Sequence, residues 1–439
     1  MLSRNGRPDP ERLAIVLPGG GARGAYEVGA LSVLLPELEA RGEKVDIICG
    51  TSVGAINAAH LASMAHLPAA EQAQRAVERW EGIRRTDVIA RIVGPRAPLG
   101  LARLVGDILG VPGLRFGSAL DASPLRKNLD HWIDWRQLHE NVAGGVLDAV
   151  CTVATSIARG GPVGFLDTGG RPPPESTSED VHYVPVRLSA EHVRASAAIP
   201  IVFPAVEVTS PRAARGFYVD GGTRLNSPIK PAIDLGATRA LVVGFEPLTV
   251  RGERSTAGRP PRLSDVAANV LDGLLLDSVA ADMHRLAAVN SFFAEGASGG
   301  PVPSARAYRA ARGRRPYRRI SYALVTPERH GEIGRMAERI FAERYGGLGA
   351  LRDLDYAVLG RLLAGRAMGR GELLSFLFFD KRYIAELLEL GRRDAKRWLD
   401  RHPAFWCADS AHDFDLDPTR ASEERELASI SEWRELRRR

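Results

Sequence analysis

Ser52 is the residue with the clearest chemical potential in this chain. It lies in Gly50-Thr51-Ser52-Val53-Gly54, after the apolar run Val45-Asp46-Ile47-Ile48-Cys49 and before Ala55-Ile56-Asn57-Ala58-Ala59, which reads as helix. A strand, a tight turn carrying Ser between two glycines, and a helix make the pattern of a nucleophile elbow. The turn forces the serine into a strained backbone conformation, and the glycines two before and two after let strand and helix approach closely. The hydroxyl then projects at a helix N-terminus, where N–H groups and the helix dipole favour developing negative charge.

A serine hydroxyl needs a base. Two residues are candidates. Asp220 ends the strand-like run Gly216-Phe217-Tyr218-Val219 and precedes Gly221-Gly222, which leave room around its carboxylate; the plain reading of Asp-Gly here is a hairpin turn. His330, among ten histidines, follows a probable strand in Thr326-Pro327-Glu328-Arg329-His330-Gly331 and would complete the order Ser…Asp…His.

A glycine-rich loop, Pro18-Gly19-Gly20-Gly21-Ala22-Arg23-Gly24, follows the apolar run Leu13–Leu17. Gly19, Gly21 and Gly24 fit G-x-G-x-x-G, a dinucleotide fingerprint that requires an acidic residue at the end of the next strand. That strand ends Cys49-Gly50-Thr51-Ser52, with no acid. The other reading is an oxyanion hole, since adjacent glycines leave backbone N–H groups uncovered. In an open parallel sheet both loops leave at the same carboxyl edge, which makes the glycine loop and Ser52 neighbours.

The elements that must position these residues alternate. The strand at 13–17, a helix over 25–40 and the strand before Ser52 argue an α/β fold with a parallel sheet. Further strands are expected at 150–155, 240–245 and 320–325, with a hairpin at 206–219. Residues 66–117 have weak periodicity and read as a cap of short helices or a lid over an apolar pocket. Ser123 is expected to N-cap a helix with Pro124 at its first position. The Gly/Pro-rich 160–180 reads as loop. A helix starting at Ser189 is expected to run to Pro200, and another to cover 264–293. Residues 305–319 carry Arg306, Arg309, Arg312, Arg314, Arg315, Arg318 and Arg319, a solvated loop or a patch for anionic headgroups. From His330 onward the chain is mostly helical, and Leu377-Phe378-Phe379 with Ile384, Leu387 and Leu388 read as core. The expected organisation is a catalytic unit over 12–329, containing the 66–117 insertion and the basic loop 300–319, and a helical extension over 330–439.

Composition sets the bounds. The chain has 439 residues, 45% hydrophobic and 26% charged, with a net charge of +6. This mild excess does not imply nucleic acid and suits peripheral contact with an anionic membrane. Cys49, Cys151 and Cys407 are odd in number and two lie in apolar runs, so reduced thiols and a cytoplasmic location are expected. The polar Met1–Pro8 has no signal-peptide core, and no apolar run is long enough to span a bilayer.

Taken together, these segments resemble the patatin-like phospholipase family. Gly19-Gly20-Gly21-Ala22-Arg23-Gly24 resembles its oxyanion loop, Gly50-Thr51-Ser52-Val53-Gly54 its nucleophile elbow, and Asp220-Gly221-Gly222 its Asp-Gly-Gly/Ala box. Ala195-Ser196-Ala197-Ala198-Ile199-Pro200-Ile201-Val202-Phe203-Pro204 is similar to the segment preceding that box. The resemblance covers about residues 12–245, and the region after 330 is similar to C-terminal extensions of bacterial members. It implies a three-layer α/β/α fold with a mostly parallel sheet, and a lipid acyl hydrolase with a Ser52–Asp220 dyad. Backbone N–H groups of Gly20, Gly21 and Val53 would hold the oxyanion, and the substrate would be a lipid ester. No metal or cofactor is implied. Arg23 would serve as a structural ion pair or contact a substrate phosphate. A Ser–His–Asp esterase using His330, or a non-catalytic lipid-binding scaffold, are the competing readings.

Overall fold

A computed structural model describes residues 11–90, 120–171, 181–200, 202–247, 320–346 and 370–407, together with Asp282, Met283, Leu286, Asn290, Asp355 and Tyr356. The expected helix at 264–293, the basic loop and the charged C-terminal residues lie outside the described residues, apart from those few positions.

The chain opens with β1 (Leu13–Leu17), α1 (Gly24–Ala40), β2 (Val45–Thr51) and α2 (Val53–Met64). β1 is buried along its whole length, as a strand covered on both faces must be. Next come α3 (Ala69–Gly82), the short α4 (Arg85–Val88), α5 (Ser123–Trp132) and α6 (Trp135–Ala143). β3 (Ala149–Ser156), β4 (Gly161–Asp167) and β5 (His182–Pro185) lead to α7 (Ala190–Ser196). The ribbon β6 (Val206–Val208) and β7 (Gly216–Asp220) is followed by α8 (Ile229–Asp234), β8 (Arg239–Val243) and β9 (Ser321–Val325). The chain then forms α9 (Glu332–Tyr345), α10 (Arg370–Leu377) and α11 (Lys381–Arg401).

The strands form one sheet in the order β5-β4-β3-β2-β1-β8-β9, with β7 added to β3 and β6 to β7. The pairs from β3 to β9 through β2, β1 and β8 are all parallel, as is β4 with β5; β3–β4, β3–β7 and β6–β7 are antiparallel. The fold is thus a mostly parallel central sheet flanked by helices, with a helical C-terminal region. Cys49 and Cys151 are buried register partners, and the three cysteines are free thiols.

Four local expectations change. Residues 161–167 are a strand, not a loop: Pro162 sits near its start, and Gly164 makes room for the Tyr183 ring, whose Cδ1 would lie 2.7 Å from an added Cβ. Residues 69–82 are one regular amphipathic helix of 14 residues, longer than the short helices expected for 66–117, with Ala69, Ala73, Ala76 and Trp80 on its buried face. Ser123 is the first helical residue and not the cap; its N–H donates to Asp121 Oδ1 at 2.8 Å. α7 ends at Ser196, four residues before Pro200, consistent with the bar proline places on helical conformation before it.

The C-terminal helices are built into the molecule. α11 lies along α1, where an added Cβ on Gly29 would fall 2.1 Å from Leu388 O and one on Gly391 2.2 Å from Tyr26 O. Tyr26 Oη donates to Asp394 Oδ2 at 3.1 Å across this contact. Asp380 caps α11 by accepting from Arg382 N at 2.9 Å, separating it from α10.

Candidate active site

Ser52 stands where β2 stops and α2 begins. Its φ of 54° and ψ of −121° lie in a region that non-glycine residues seldom adopt. The turn is held by contacts that leave no space for side chains: a Cβ on Gly50 would lie 2.2 Å from Gly54 O, and one on Gly54 2.1 Å from Leu17 O. Ser196, within the segment 195–204, completes the clamp. Its Oγ accepts from Ser52 N at 2.8 Å and donates to Val153 O at 2.5 Å. Sequence reading included Ser196 in a motif and gave it no role.

Asp220 reaches Ser52 through the pairing of β3. On one edge of β3, β2 pairs in parallel as far as Thr51 opposite Val153. On that same edge β7 pairs antiparallel, ending with Asp220 opposite Ala154. Two strands therefore meet tip to tip at successive residues of a third. Ser52 Oγ donates to Asp220 Oδ2 at 2.6 Å, and Gly222 N donates to Asp220 Oδ1 at 2.7 Å. Asp220 is 1% exposed. Burial raises its pKa to about 7, outweighing the two hydrogen bonds, which act to lower it.

The glycine loop lies against the same point. Gly19 N donates to Asn226 Oδ1 at 3.0 Å, and an added Cβ on Gly19 would sit 2.9 Å from Ser52 Cβ. Asn226 also packs on Gly222, so one side chain ties the glycine loop to the Asp220 turn; nothing in the sequence marks it. The N–H groups of Gly20 and Gly21 have no acceptor among the described residues. Val53, first residue of α2, has none within its helix. Gly21 adopts φ +58°, and a side chain there would strike Phe376 O. Ala22 and Gly24 continue the loop into α1, buried.

Arg23 is fully buried and forms an ion pair. Its Nη2 bonds the Glu372 carboxylate and, at 3.0 Å, Glu372 O; its Nε donates to Ser375 Oγ at 2.6 Å. Its guanidinium lies 4.3 Å from the Phe376 ring centroid. The C-terminal helix α10 is thereby fastened over the glycine loop.

Beside Ser52 opens an apolar pocket. Ser52, Val53, Ile56, Asn57 and His60 form one wall along α2, and Trp80 and Trp132 stand among the residues facing them. Phe376, Leu377 and Phe379 also line it. Leu377, Phe378 and Phe379 are all buried in the core, as expected from sequence, and Leu377 and Phe379 also line the pocket. His330 is not brought to this site. Its Nδ1 lies 3.1 Å from Glu246 Oε2, and it neither bonds Ser52 nor lines the pocket. His60 lines the pocket, but its Nδ1 is engaged by Trp132 O at 3.0 Å.

These features define an α/β protein built around a serine at a strand–helix turn, with a carboxylate and an apolar pocket beside it. Residues 15–233 match the family model of patatin-like phospholipase, and the chain belongs to that family, which implies lipid acyl hydrolase activity. Among solved structures it is similar to VipD from Legionella pneumophila, at 14% identity over 90% of this chain and 67% of that one, with a TM-score of 0.33. It is also similar to the type III effector protein ExoU, at 16% identity over 84% of this chain and 77% of that one, with a TM-score of 0.25. No curated protein sequence matches the chain.

Proposed function

We propose that the chain hydrolyses carboxylic esters of lipids through a Ser52–Asp220 dyad and an acyl-enzyme. The observation that carries this reading is the 2.6 Å hydrogen bond from Ser52 Oγ to a buried Asp220 carboxylate. Ser52 Oγ attacks the ester carbonyl as its proton passes to Asp220 Oδ2. The N–H groups of Gly20, Gly21 and Val53 receive the oxyanion. The tetrahedral intermediate collapses, Asp220 returns the proton to the departing alkoxide, and the acyl group stays on Ser52. Water then attacks this ester, losing its proton to Asp220; collapse frees the fatty acid and restores the Ser52 hydroxyl. An ordinary aspartate is too weak a base for this, with a free pKa near 3.9. Burial that moves Asp220 to about 7 supports the assignment, because a general base works best near the ambient pH.

Labelling with a fluorophosphonate tests the dyad. Wild type is expected to react at Ser52, Ser52→Ala not at all, and Asp220→Asn at least 100-fold more slowly. His330→Ala is expected to keep its rate. Loss of labelling in folded His330→Ala would reinstate the histidine mechanism, and an unreactive wild type would favour the scaffold.

Contact with an anionic membrane belongs to the same reading. Ile157 and Phe217 are 55% and 52% exposed, and they adjoin, since Ile157 N donates to Phe217 O. Exposed Arg159, Arg212 and Arg215 lie in the turns next to them. An apolar pair ringed by arginines suits a headgroup boundary. Among the described residues no helix is long and apolar enough to cross a membrane.

A further inference from the structure

Glu27 is a fully buried carboxyl that the hydrolytic steps do not use, and among the described residues no basic side chain pairs with it. Its Oε2 accepts from Asn57 Nδ2 at 2.7 Å. Asn57, buried in the second turn of α2, donates again from Nδ2 to Gly24 O at 3.1 Å and accepts at Oδ1 from Trp80 Nε1 at 2.9 Å. Gly24 O can only accept and Trp80 Nε1 can only donate, so the amide has one orientation, with both hydrogens and the oxygen engaged.

These bonds join the two elements that carry the oxyanion donors. Gly20 and Gly21 lie in the loop that runs into α1 at Gly24, and Val53 opens α2 four residues before Asn57, on the same face of that helix. Gly24 is wedged between them: an added Cβ would lie 2.4 Å from Val53 Cγ2 and 2.7 Å from Trp80 Cζ2. Such packing limits how near α1 and α2 come; the Asn57 hydrogen bonds limit how far they part. Burial holds the Glu27 carboxyl well above the usual carboxylate range. Glu27 therefore offers Asn57 an acceptor without setting a negative charge behind a forming oxyanion, where repulsion in the dry interior would be strong.

We propose that Asn57 is a positioning residue for the oxyanion hole: it fixes the N–H groups of Gly20 and Gly21 relative to that of Val53, with Glu27 and Trp80 orienting its amide from two sides. The inference rests on Ser52 being the nucleophile and on those three N–H groups receiving the oxyanion. Asn57 lines the pocket, but its amide hydrogens and oxygen are all taken by protein partners, so it acts through the donors and not on the substrate. Its contribution falls in the transition state, where charge gathers on the carbonyl oxygen, and binding of the uncharged ester is left nearly as it was. Donors displaced by about 1 Å are enough for a loss on the order of 100-fold.

Steady-state hydrolysis of p-nitrophenyl octanoate by the full-length protein is the first readout. Asn57→Leu is expected to lower kcat about 10- to 100-fold and to move KM by less than about threefold. Asn57→Asp, alike in shape, offers at most one hydrogen where the amide offers two, and is expected to lose kcat in the same direction; it carries the test should Asn57→Leu not fold, as circular dichroism will show. Glu27→Leu is expected to lower kcat about tenfold, and Glu27→Gln, with an uncharged acceptor in place, to recover most of that loss. The second readout sets inhibition by an alkyl trifluoromethyl ketone, whose adduct with Ser52 bears an oxyanion, against binding of the matching methyl ketone, which stays a ketone. Affinity for the first should fall by the same factor as kcat, and affinity for the second should hold, a split that a merely loosened fold does not produce. Folded Asn57 variants that keep kcat within about threefold of wild type, or that lose both ketones equally, overturn the inference. A wild type that neither hydrolyses the ester nor binds the fluorinated ketone refutes the catalytic reading itself, and the inference falls with it.

Discussion

Replacing Asp220 with Asn should make the protein more stable, and only above the acidic range. The carboxylate is ionised near pH 4 in an unfolded chain but holds its proton to about pH 7 in the folded one. Between those values the native state binds more protons than the unfolded state, so stability falls as pH rises. Three pKa units at 1.36 kcal/mol each give about 4 kcal/mol by pH 8, and the same relation leaves about 1 kcal/mol at pH 4.5. Asparagine removes the charge and keeps the frame, since its Oδ1 still accepts from Gly222 N and its Nδ2 can donate to Ser52 Oγ. For a chain of 439 residues, an unfolding entropy of about 2.1 cal/mol/K per residue converts this to a Tm rise of roughly 4 °C at pH 8 and roughly 1 °C at pH 4.5. Differential scanning calorimetry of both proteins at the two pH values makes the comparison, with ester hydrolysis assayed in parallel. A folded Asp220→Asn protein that is no more stable than wild type at pH 8, or equally stabilised at both pH values, refutes the claim that burial raises this carboxylate. More stability with less activity is the expected signature of a buried base.

The same shift governs the pH profile: kcat/KM for a neutral ester should fall tenfold per unit below about pH 7, and a flat profile from pH 5 to 8 would exclude Asp220 as base. Ser196→Ala leaves the buried Ser52 N–H without its acceptor and should cost about 1–3 kcal/mol of stability while lowering kcat, read by denaturation and steady-state kinetics. Glu372→Gln strands the Arg23 guanidinium in the interior and should cost about 3–5 kcal/mol, measured by urea unfolding; an unchanged midpoint would show that the C-terminal helix does not anchor the glycine loop. Ile157→Asp with Phe217→Asp should reduce co-sedimentation with phosphatidylglycerol vesicles and leave hydrolysis of a soluble ester unaltered.

What sequence could reveal here divides along the range of the interactions. The Ser52 turn was legible because its requirement is local: bulk at Gly50 or Gly54 meets backbone at about 2 Å, and the residue types record that directly. The parallel strands were legible for a similar reason, being short runs buried on both faces. The region that misled was one where composition hides burial: β4 carries Pro162 and Gly164 in the guise of a loop. The most distant partners left no mark at all. Glu372 and Ser375 meet Arg23 across 349 and 352 residues, and Phe376 reaches the pocket only because α10 is fastened there.

Asp220 falls between these cases, and its chemistry depends on which part was unreadable. Asp-Gly-Gly after an alternating strand is visible, yet by itself it describes a turn. Its proximity to Ser52 comes from β7 taking over the edge of β3 at Ala154, immediately after β2 leaves it at Val153. That junction also closes the sheet over the carboxylate, with Asp220 N donating to Ala198 O at 2.8 Å. Position and basicity thus have one origin. The pairing that brings the carboxylate within 2.6 Å of the hydroxyl also removes it from water, and desolvation is what raises an aspartate to a useful base. A hairpin shifted by two residues along β3 would keep the side chain on the same face but move it about 7 Å, separating the pair and reopening the carboxylate to solvent.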